Sequence, residues 1–149
     1  MNEEQEPYLV KLRKELNQPK TIFDKTEELI DQAINLNLEV RKEFQKHLSE
    51  NEYCSFDTRV VTMNLGRRAG HTTYILNHAT DNDIVITRFM YEQHNTFKSK
   101  KSICIENLNF YYTPEPIDKV YVDNASLFER NQLLNFIYKI RANQYILLG

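Results

Sequence analysis

Glycine is scarce in this chain, and its placement restricts the fold more than any other feature. Three glycines occur among 149 residues, which is about 2% where ~7% is usual. Two of them, Gly66 and Gly70, lie in the stretch NLGRRAGHTT at 64–73, and the third is Gly149. Because glycine adopts positive φ and lets the backbone approach other groups closely, we expect a tight, specialised turn at 64–73.

The segments on the two sides of this turn differ in character. TRVVTMNL at 58–65 is β-branched and apolar, which predicts a buried strand. TTYILNHA at 72–79 predicts a helix that begins directly after the glycines. Short strands are also expected in DIVIT, SICIE, KVYVD and QYILLG, at 83–87, 102–106, 119–123 and 144–149. Such alternation predicts an α/β fold, a mainly parallel sheet with flanking helices in a three-layer sandwich.

Helices are expected near both ends of the chain. EPYLVKLRKELNQ at 6–18 has an apolar stripe, and apolar residues recur at helical spacing over about 21–49. Ser126 and Glu129 form an S-x-x-E capping box, which predicts a helix that opens there and runs through Tyr138. The segment RFMYEQHNTFKSKK, between two of the strands, is ambiguous and fits a short helix followed by a basic loop.

Length and composition indicate an ordinary globular protein. A chain of 149 residues can bury a hydrophobic core, and its hydrophobic and charged fractions, 41% and 27%, are usual ones. We interpret residues 1–57 as an N-terminal helical segment packed on the core and residues 58–149 as the α/β core.

Charge and cysteine content narrow the classes of function. A net charge of −2 gives no overall attraction to nucleic acid. The N-terminus is acidic and polar, and no apolar run approaches the ~20 residues of a membrane span, so a cytoplasmic protein without membrane contact is expected. No CxxC spacing occurs and no histidine pairs with a cysteine, so a zinc site is not expected. The two cysteines are Cys54 and Cys104, and the four histidines are His47, His71, His78 and His94.

The glycine stretch has the outline of a phosphate-binding loop. Such a loop needs a strand, a glycine-rich turn and a helix whose N-terminus faces the phosphates, in the pattern G-x-x-x-x-G-K-[ST]. Aligned on Gly70, the chain has Thr72 in the hydroxyl position. Leu65 takes the place of the first glycine, and His71 takes the place of the lysine.

GRRAGHT resembles the Walker A loop of RecA-like P-loop NTPases of viral type, large terminase ATPases in particular. That family also has a Walker B strand, a run of apolar residues that ends in a carboxylate, and KVYVDN is similar to it, with Asp123 as the carboxylate. The capped helix and the last strand then follow in the order expected of the family's core. The resemblance covers residues 58–149 and, for a viral protein, implies the host cytoplasm.

This resemblance implies a site for ATP or another nucleotide with Mg²⁺. Thr72 and Asp123 would hold the metal ion. Asn124 stands where the family has its catalytic glutamate, so no catalytic residue is assigned and slow turnover is expected. His71 is expected to be mostly neutral at pH 7, unlike lysine. The implied nucleotide-binding residues are Gly66, Arg67, Arg68, Ala69, Gly70, His71, Thr72 and Thr73.

Other functions stay open on the sequence alone. A catalytically inactive remnant of this fold would act as an interaction factor, binding a host or viral protein, or a second copy of itself, through its N-terminal helices. A nucleic-acid-binding factor would use Arg67, Arg68 and the Lys98–Lys101 loop. Tyr111 and Tyr112 fit either base stacking or a loop packed on the core. His78 and His94 are interpreted as surface residues, and Asp123 also fits an ordinary strand end.

Overall fold

A computed structural model describes residues 21–48, 56–110 and 117–149. The helix expected at 6–18, Cys54 and the tyrosine pair at 111–112 lie outside these ranges. No helix within them combines the length and apolar character that crossing a bilayer requires.

The fold is α/β and is organised around one five-stranded sheet. The strands are β1 (Val60–Met63), β2 (Ile84–Thr87), β3 (Ser102–Cys104), β4 (Ile117–Asp123) and β5 (Ala142–Leu148). They are ordered β1-β5-β4-β2-β3, and every pair of neighbours is parallel. The sheet was predicted to be mainly parallel; in the described residues it is entirely so. Its central strands are apolar on both faces, as a covered parallel sheet requires.

Within the described ranges, three α-helices cover the two faces of the sheet: α1 (Ile22–Gln45), α2 (His71–His78) and α3 (Arg130–Ile137). One apolar core lies under α1 and α2, where Ile30 and Ile75 pack with Ile146. The second core lies under α3, where Leu133 and Ile137 pack with strand residues of the opposite face. The helices and the sheet thus form three layers.

Shorter helical pieces fill the connections. They are 3-10 helices at Phe56–Arg59, Ile105–Phe110 and Ala125–Leu127, and a π-helical turn at Glu92–Thr96. Two expected strands are shortened by these pieces: the first begins at Val60 instead of 58, and the third ends at Cys104 instead of 106. The ambiguous segment after β2 contains the π-helical turn, which carries Glu92.

The predicted capping box at Ser126 and Glu129 is wrong. Ser126 lies in the 3-10 helix, and α3 begins later, at Arg130. Glu129 is the N-cap itself: its carboxylate accepts hydrogen bonds from the backbone N–H groups of Asn131 (3.1 Å) and Gln132 (2.6 Å). A carboxylate at the N-cap satisfies free N–H groups of the first turn as a serine would.

A capping box does occur at the start of α1. Thr21 Oγ1 accepts a hydrogen bond from the Asp24 backbone N–H, and the Asp24 carboxylate accepts one from the Thr21 N–H. This reciprocal pair explains why the helix begins at Ile22. The helix was expected to run to about 49 and ends at Gln45.

Candidate functional site

The glycine loop and Asp123 meet at the carboxyl edge of the sheet. The 64–70 loop follows β1, Asp123 is the last residue of β4, and β5 lies between these two strands. Backbone hydrogen bonds hold this edge together, from Gly149 N to the Met63 carbonyl (3.0 Å) and from Ser126 N to the Gly149 carbonyl (2.7 Å). In open parallel sheets this edge is where ligands bind.

The 64–70 loop has the special backbone geometry that its glycines predict. Gly66, Arg68 and Gly70 all have positive φ, at 96°, 60° and 99°. The Asn64 side chain accepts a hydrogen bond from the Gly66 N–H at 2.9 Å, which holds the start of the loop. At its end, the buried Thr26 hydroxyl of α1 donates to the Ala69 carbonyl at 2.6 Å.

The N-terminus of α2 opens onto a cavity. Gly70 is its N-cap and provides no side-chain acceptor, so the first turn keeps N–H groups that a ligand can use. The helix dipole adds partial positive charge at the same point. The cavity has a volume of about 760 Å³ and is lined by Phe23, Asn64, Gly66, Arg67, Arg68, Gly70, His71, Thr72, Thr73, Asn124, Ser126, Leu127 and Gly149.

Thr72 and Asp123 are in direct contact, although 51 residues separate them in the sequence. The Thr72 hydroxyl lies 2.9 Å from Asp123 Oδ1 and 3.0 Å from Oδ2. Asp123 is buried, and burial is the main cause that raises its pKa to about 6; the Thr72 hydrogen bond acts against this rise, and the charge of Glu92 adds to it. The edge therefore has a buried carboxylate joined to a hydroxyl that lines the cavity.

Glu92 is a second buried carboxylate at this edge, and the sequence analysis did not identify it. Its Oε1 accepts a hydrogen bond from the Phe89 N–H at 3.2 Å. The Asn124 amide Nδ2 lies 3.5 Å from both Glu92 Oε2 and Asp123 Oδ2, so these two oxygens are within about 7 Å of each other. Glu92 comes from the π-helical turn after β2, and no local pattern relates that turn to Asp123. The one signal in the sequence that pointed to Glu92 was its acidic character in a segment without a clear helical or strand pattern.

The His71 side chain lies against the start of the loop and bonds to its backbone. Its Nε2 accepts a hydrogen bond from the Leu65 backbone N–H at 3.1 Å, so the ring carries its proton on Nδ1. The residue is buried, and burial lowers the pKa of the imidazole below its ordinary value. The side chain is therefore neutral at pH 7, as the sequence predicted, and it stabilises the shape of the loop.

The basic residues that the sequence grouped together lie at opposite edges of the sheet. Arg67 and Arg68 are exposed at the mouth of the cavity. Lys100 and Lys101 directly precede β3 and so lie at the amino edge. There their ammonium groups donate hydrogen bonds to the chain itself, to the Ala79 carbonyl (2.8 Å) and the Asp81 carbonyl (2.7 Å). The arginine pair and these two lysines do not form one continuous basic surface.

No protein-family model matches the chain, and no curated protein matches it either.

Proposed function

We propose that this protein binds a nucleotide with Mg²⁺ at the carboxyl edge of its sheet, as a P-loop NTPase domain of viral type with altered Walker motifs. The observation that carries the proposal is the contact between Thr72 and Asp123 directly beside the open N-terminus of α2. A phosphate group needs N–H donors and positive potential, and a magnesium ion needs oxygen ligands. Residues 64–73 and Asp123 provide both at one place.

Different residues of the site contact the phosphates and the magnesium ion. The backbone N–H groups from Arg67 to Thr72 surround the phosphates, and the side chains of Arg67 and Arg68 add charge from the rim of the cavity. Thr72 and Asp123 hold Mg²⁺, which neutralises the charge on the phosphate oxygens. The cavity of about 760 Å³ has room for a nucleotide beyond its phosphates.

Hydrolysis of the bound nucleotide is expected to be slow. Asn124 has no carboxylate, and His71 gives no fixed positive charge to the phosphates. Glu92 is the proposed substitute for the carboxylate that the sequence lacks at position 124, since its Oε2 lies 3.5 Å from the amide of Asn124, a residue that lines the cavity. We assign Glu92 the role of general base, reached through a water molecule.

Calorimetric titration with Mg²⁺–ATP and Mg²⁺–ADP tests the binding. We expect micromolar affinity for the wild type and a loss of about tenfold or more for Thr72→Ala, because one ligand of the metal is removed. Thr96→Ala, an exposed threonine in the π-helical turn, is the matched control and should bind as the wild type does. His71→Lys should bind more tightly, since a lysine adds charge at the phosphates.

Either of two outcomes would contradict the proposed binding. If neither nucleotide binds at millimolar concentration, or if Thr72→Ala binds as well as the wild type, the phosphate role of the 64–70 loop is wrong.

A role in protein interaction is the second candidate, and one feature of α1 favours it. The outer side of this helix exposes a row of large apolar side chains, Leu29, Leu36, Val40 and Phe44, each between 46% and 59% accessible. Exposed apolar rows of this kind mark contact surfaces on proteins. If the loop binds no nucleotide, this surface becomes the primary functional feature, with a host protein, a viral protein or a second copy of the chain as partner.

A further inference from the structure

Glu27, Asp31 and His78 form a cluster between α1 and α2, apart from the cavity. Glu27 and Asp31 are one turn apart on α1, and His78 is the last residue of α2. One ligand atom from each of the three residues can be chosen so that all lie within 4.8 Å of one another. Sequence spacing did not reveal this group, because it pairs a histidine with carboxylates 47 and 51 residues away and contains no cysteine.

The tautomer of His78 is set by the end of its own helix. Its Nδ1 lies 2.9 Å from the Tyr74 carbonyl oxygen, which can only accept, so Nδ1 carries a proton. In the neutral ring Nε2 is then an acceptor, and it lies 3.4 Å from Glu27 Oε1, which is also an acceptor. Two facing acceptors repel each other unless a proton or a metal ion lies between them.

Tyr74 supports the cluster in three ways. Its carbonyl orients the His78 ring, its ring stacks on that imidazole at 4.0 Å between centroids, and its hydroxyl donates to Asp31 Oδ1 at 2.6 Å. A histidine that donates its other N–H to a backbone carbonyl, and a carboxylate that accepts a hydrogen bond, are the usual supports of metal ligands. One buried residue thus orients two of the three ligand groups.

The spacing suits a small transition-metal ion. With metal–ligand bonds of about 2.0–2.2 Å, neighbouring ligand atoms in a tetrahedral site are roughly 3.3–3.6 Å apart. The separation of 3.4 Å between His78 Nε2 and Glu27 Oε1 fits this edge, and an Asp31 ligand atom lies within 4.8 Å of a ligand atom of each of the other two residues. The side chains of His78 and Glu27 are 27% and 47% accessible, so an ion can enter from solvent.

We propose that Glu27, Asp31 and His78 bind a divalent transition-metal ion, with Zn²⁺ as the preferred probe and water in the fourth position. The ion joins α1 to α2 at the end opposite to the 64–70 loop. The site shares no residue with the proposed nucleotide site, so each stands or falls by itself.

Titration of the tag-free, metal-free protein with Zn²⁺, in the absence of nucleotide, tests the site. We expect one equivalent to bind with micromolar or tighter affinity and to raise the unfolding temperature. His78→Ala, Glu27→Gln and Asp31→Asn should each lower the affinity by about tenfold or more. Tyr74→Phe, which keeps all three ligands and removes the hydroxyl, should lower it by a smaller factor.

Matched controls separate this site from incidental binding. His94→Ala removes an exposed histidine, and Glu39→Gln removes a carboxylate of α1 about three turns away; both should bind Zn²⁺ as the wild type does. X-ray absorption should show nitrogen and oxygen ligands without sulfur. Circular dichroism of each metal-free variant checks that its fold is retained.

Two results would overturn the proposal. Wild-type protein that binds no Zn²⁺ at millimolar concentration would leave Glu27 and His78 as an ion pair only. A folded His78→Ala variant with undiminished Zn²⁺ affinity would place the bound ion elsewhere.

Discussion

At the scale of single residues, burial decides what the titratable groups of the candidate site can do. Burial disfavours the charged form, so it lowers the pKa of His71 and raises that of Asp123 to about 6. The histidine thereby stays neutral and holds the loop through the Leu65 N–H. The aspartate is ionised at neutral pH at a cost to folding stability, which is the usual situation of a carboxylate kept for binding a cation.

Asp123→Asn should increase folding stability near neutral pH while it abolishes binding of Mg²⁺. The folded pKa of about 6 is above the ordinary value of 3.8, so the folded state binds more protons between these values. The resulting stability is fully present below the ordinary pKa and is lost as pH rises through the folded pKa. At about pH 7.5 we expect the variant to be more stable by about 2 kcal/mol, and near pH 4 by much less.

Urea unfolding of both proteins at the two pH values measures this difference. The lowered pKa of His71 has the opposite effect, since its contribution to stability is fully present above the ordinary value of 6.5 and is lost as pH falls through the lowered folded pKa. This effect of His71 on stability is the same in the wild type and in Asp123→Asn, so it cancels in the comparison. An equal gain at both pH values would mean that ionised Asp123 carries no such cost.

Glu92→Gln should separate hydrolysis from binding. Glutamine keeps the shape of the side chain but cannot take a proton, so single-turnover hydrolysis of Mg²⁺–ATP should fall by about 10²-fold or more. The affinity for Mg²⁺–ATP should change little, because Glu92 is not one of the proposed ligands of the phosphates or of Mg²⁺. Glu106→Gln, at an exposed position after β3, is the control. Unchanged hydrolysis in Glu92→Gln would remove this role from Glu92 and leave the proposed binding intact.

At the scale of elements, α1 is the support on which the 64–70 loop and α2 rest. Its Thr26 hydroxyl bonds the Ala69 carbonyl, and its Phe23 ring packs on Gly70. Farther along, Asp31 accepts a hydrogen bond from Tyr74 of α2. This helix, which lies outside the range 58–149 of the family resemblance, thus contacts the glycine stretch at Ala69 and Gly70.

The two loop glycines provide a matched pair that tests this support. Both have positive φ, so Gly66→Ala and Gly70→Ala each carry a conformational cost of about 1 kcal/mol or more. A Cβ at Gly66 meets nothing within 4 Å, whereas one at Gly70 would lie 2.5 Å from Phe23 Cδ1. We therefore expect Gly70→Ala to destabilise the protein by about 1 kcal/mol more than Gly66→Ala.

Denaturant unfolding in a double-mutant cycle isolates the contact. In the Phe23→Ala background the extra cost of Gly70→Ala should disappear, while the cost of Gly66→Ala should stay the same. If the two glycine substitutions lower the free energy of unfolding equally in the wild-type background, the contact between Phe23 of α1 and position 70 does not restrict the loop.

The sequence predicted elements well and their termini less well. Runs of β-branched residues located all five strands, because a covered parallel sheet needs them. The start of α3 was misplaced, since Ser126 and Glu129 have the right spacing for a capping box although Glu129 caps the helix alone. Of the site, the contact of Thr72 with Asp123 follows from two motifs that can be read locally. Glu92 and the Tyr74–His78 arrangement depend on packing between distant segments, which no local pattern contains.

At the scale of the whole molecule, the order of the strands sets which parts of the chain depend on one another. Among the described strands, β1 pairs only with β5, and β4 pairs with β5 and β2. The 64–70 loop and Asp123 are thus brought to the same edge by a strand that comes later in the chain than either of them. Contacts so distant in sequence cost loop-closure entropy before they stabilise the fold.

The position of β5 has a consequence for synthesis on the ribosome. The chain emerges from its N-terminus, so β1, the glycine loop and β4 leave the ribosome before residues 142–148 are available. Until then β1 lacks β5, its partner among the described strands, and its apolar edge is open to other chains or to chaperones. The nascent protein reaches the arrangement of Thr72 and Asp123 only after residues 142–148 have been made, so a translation product that ends before β5 would lack the site.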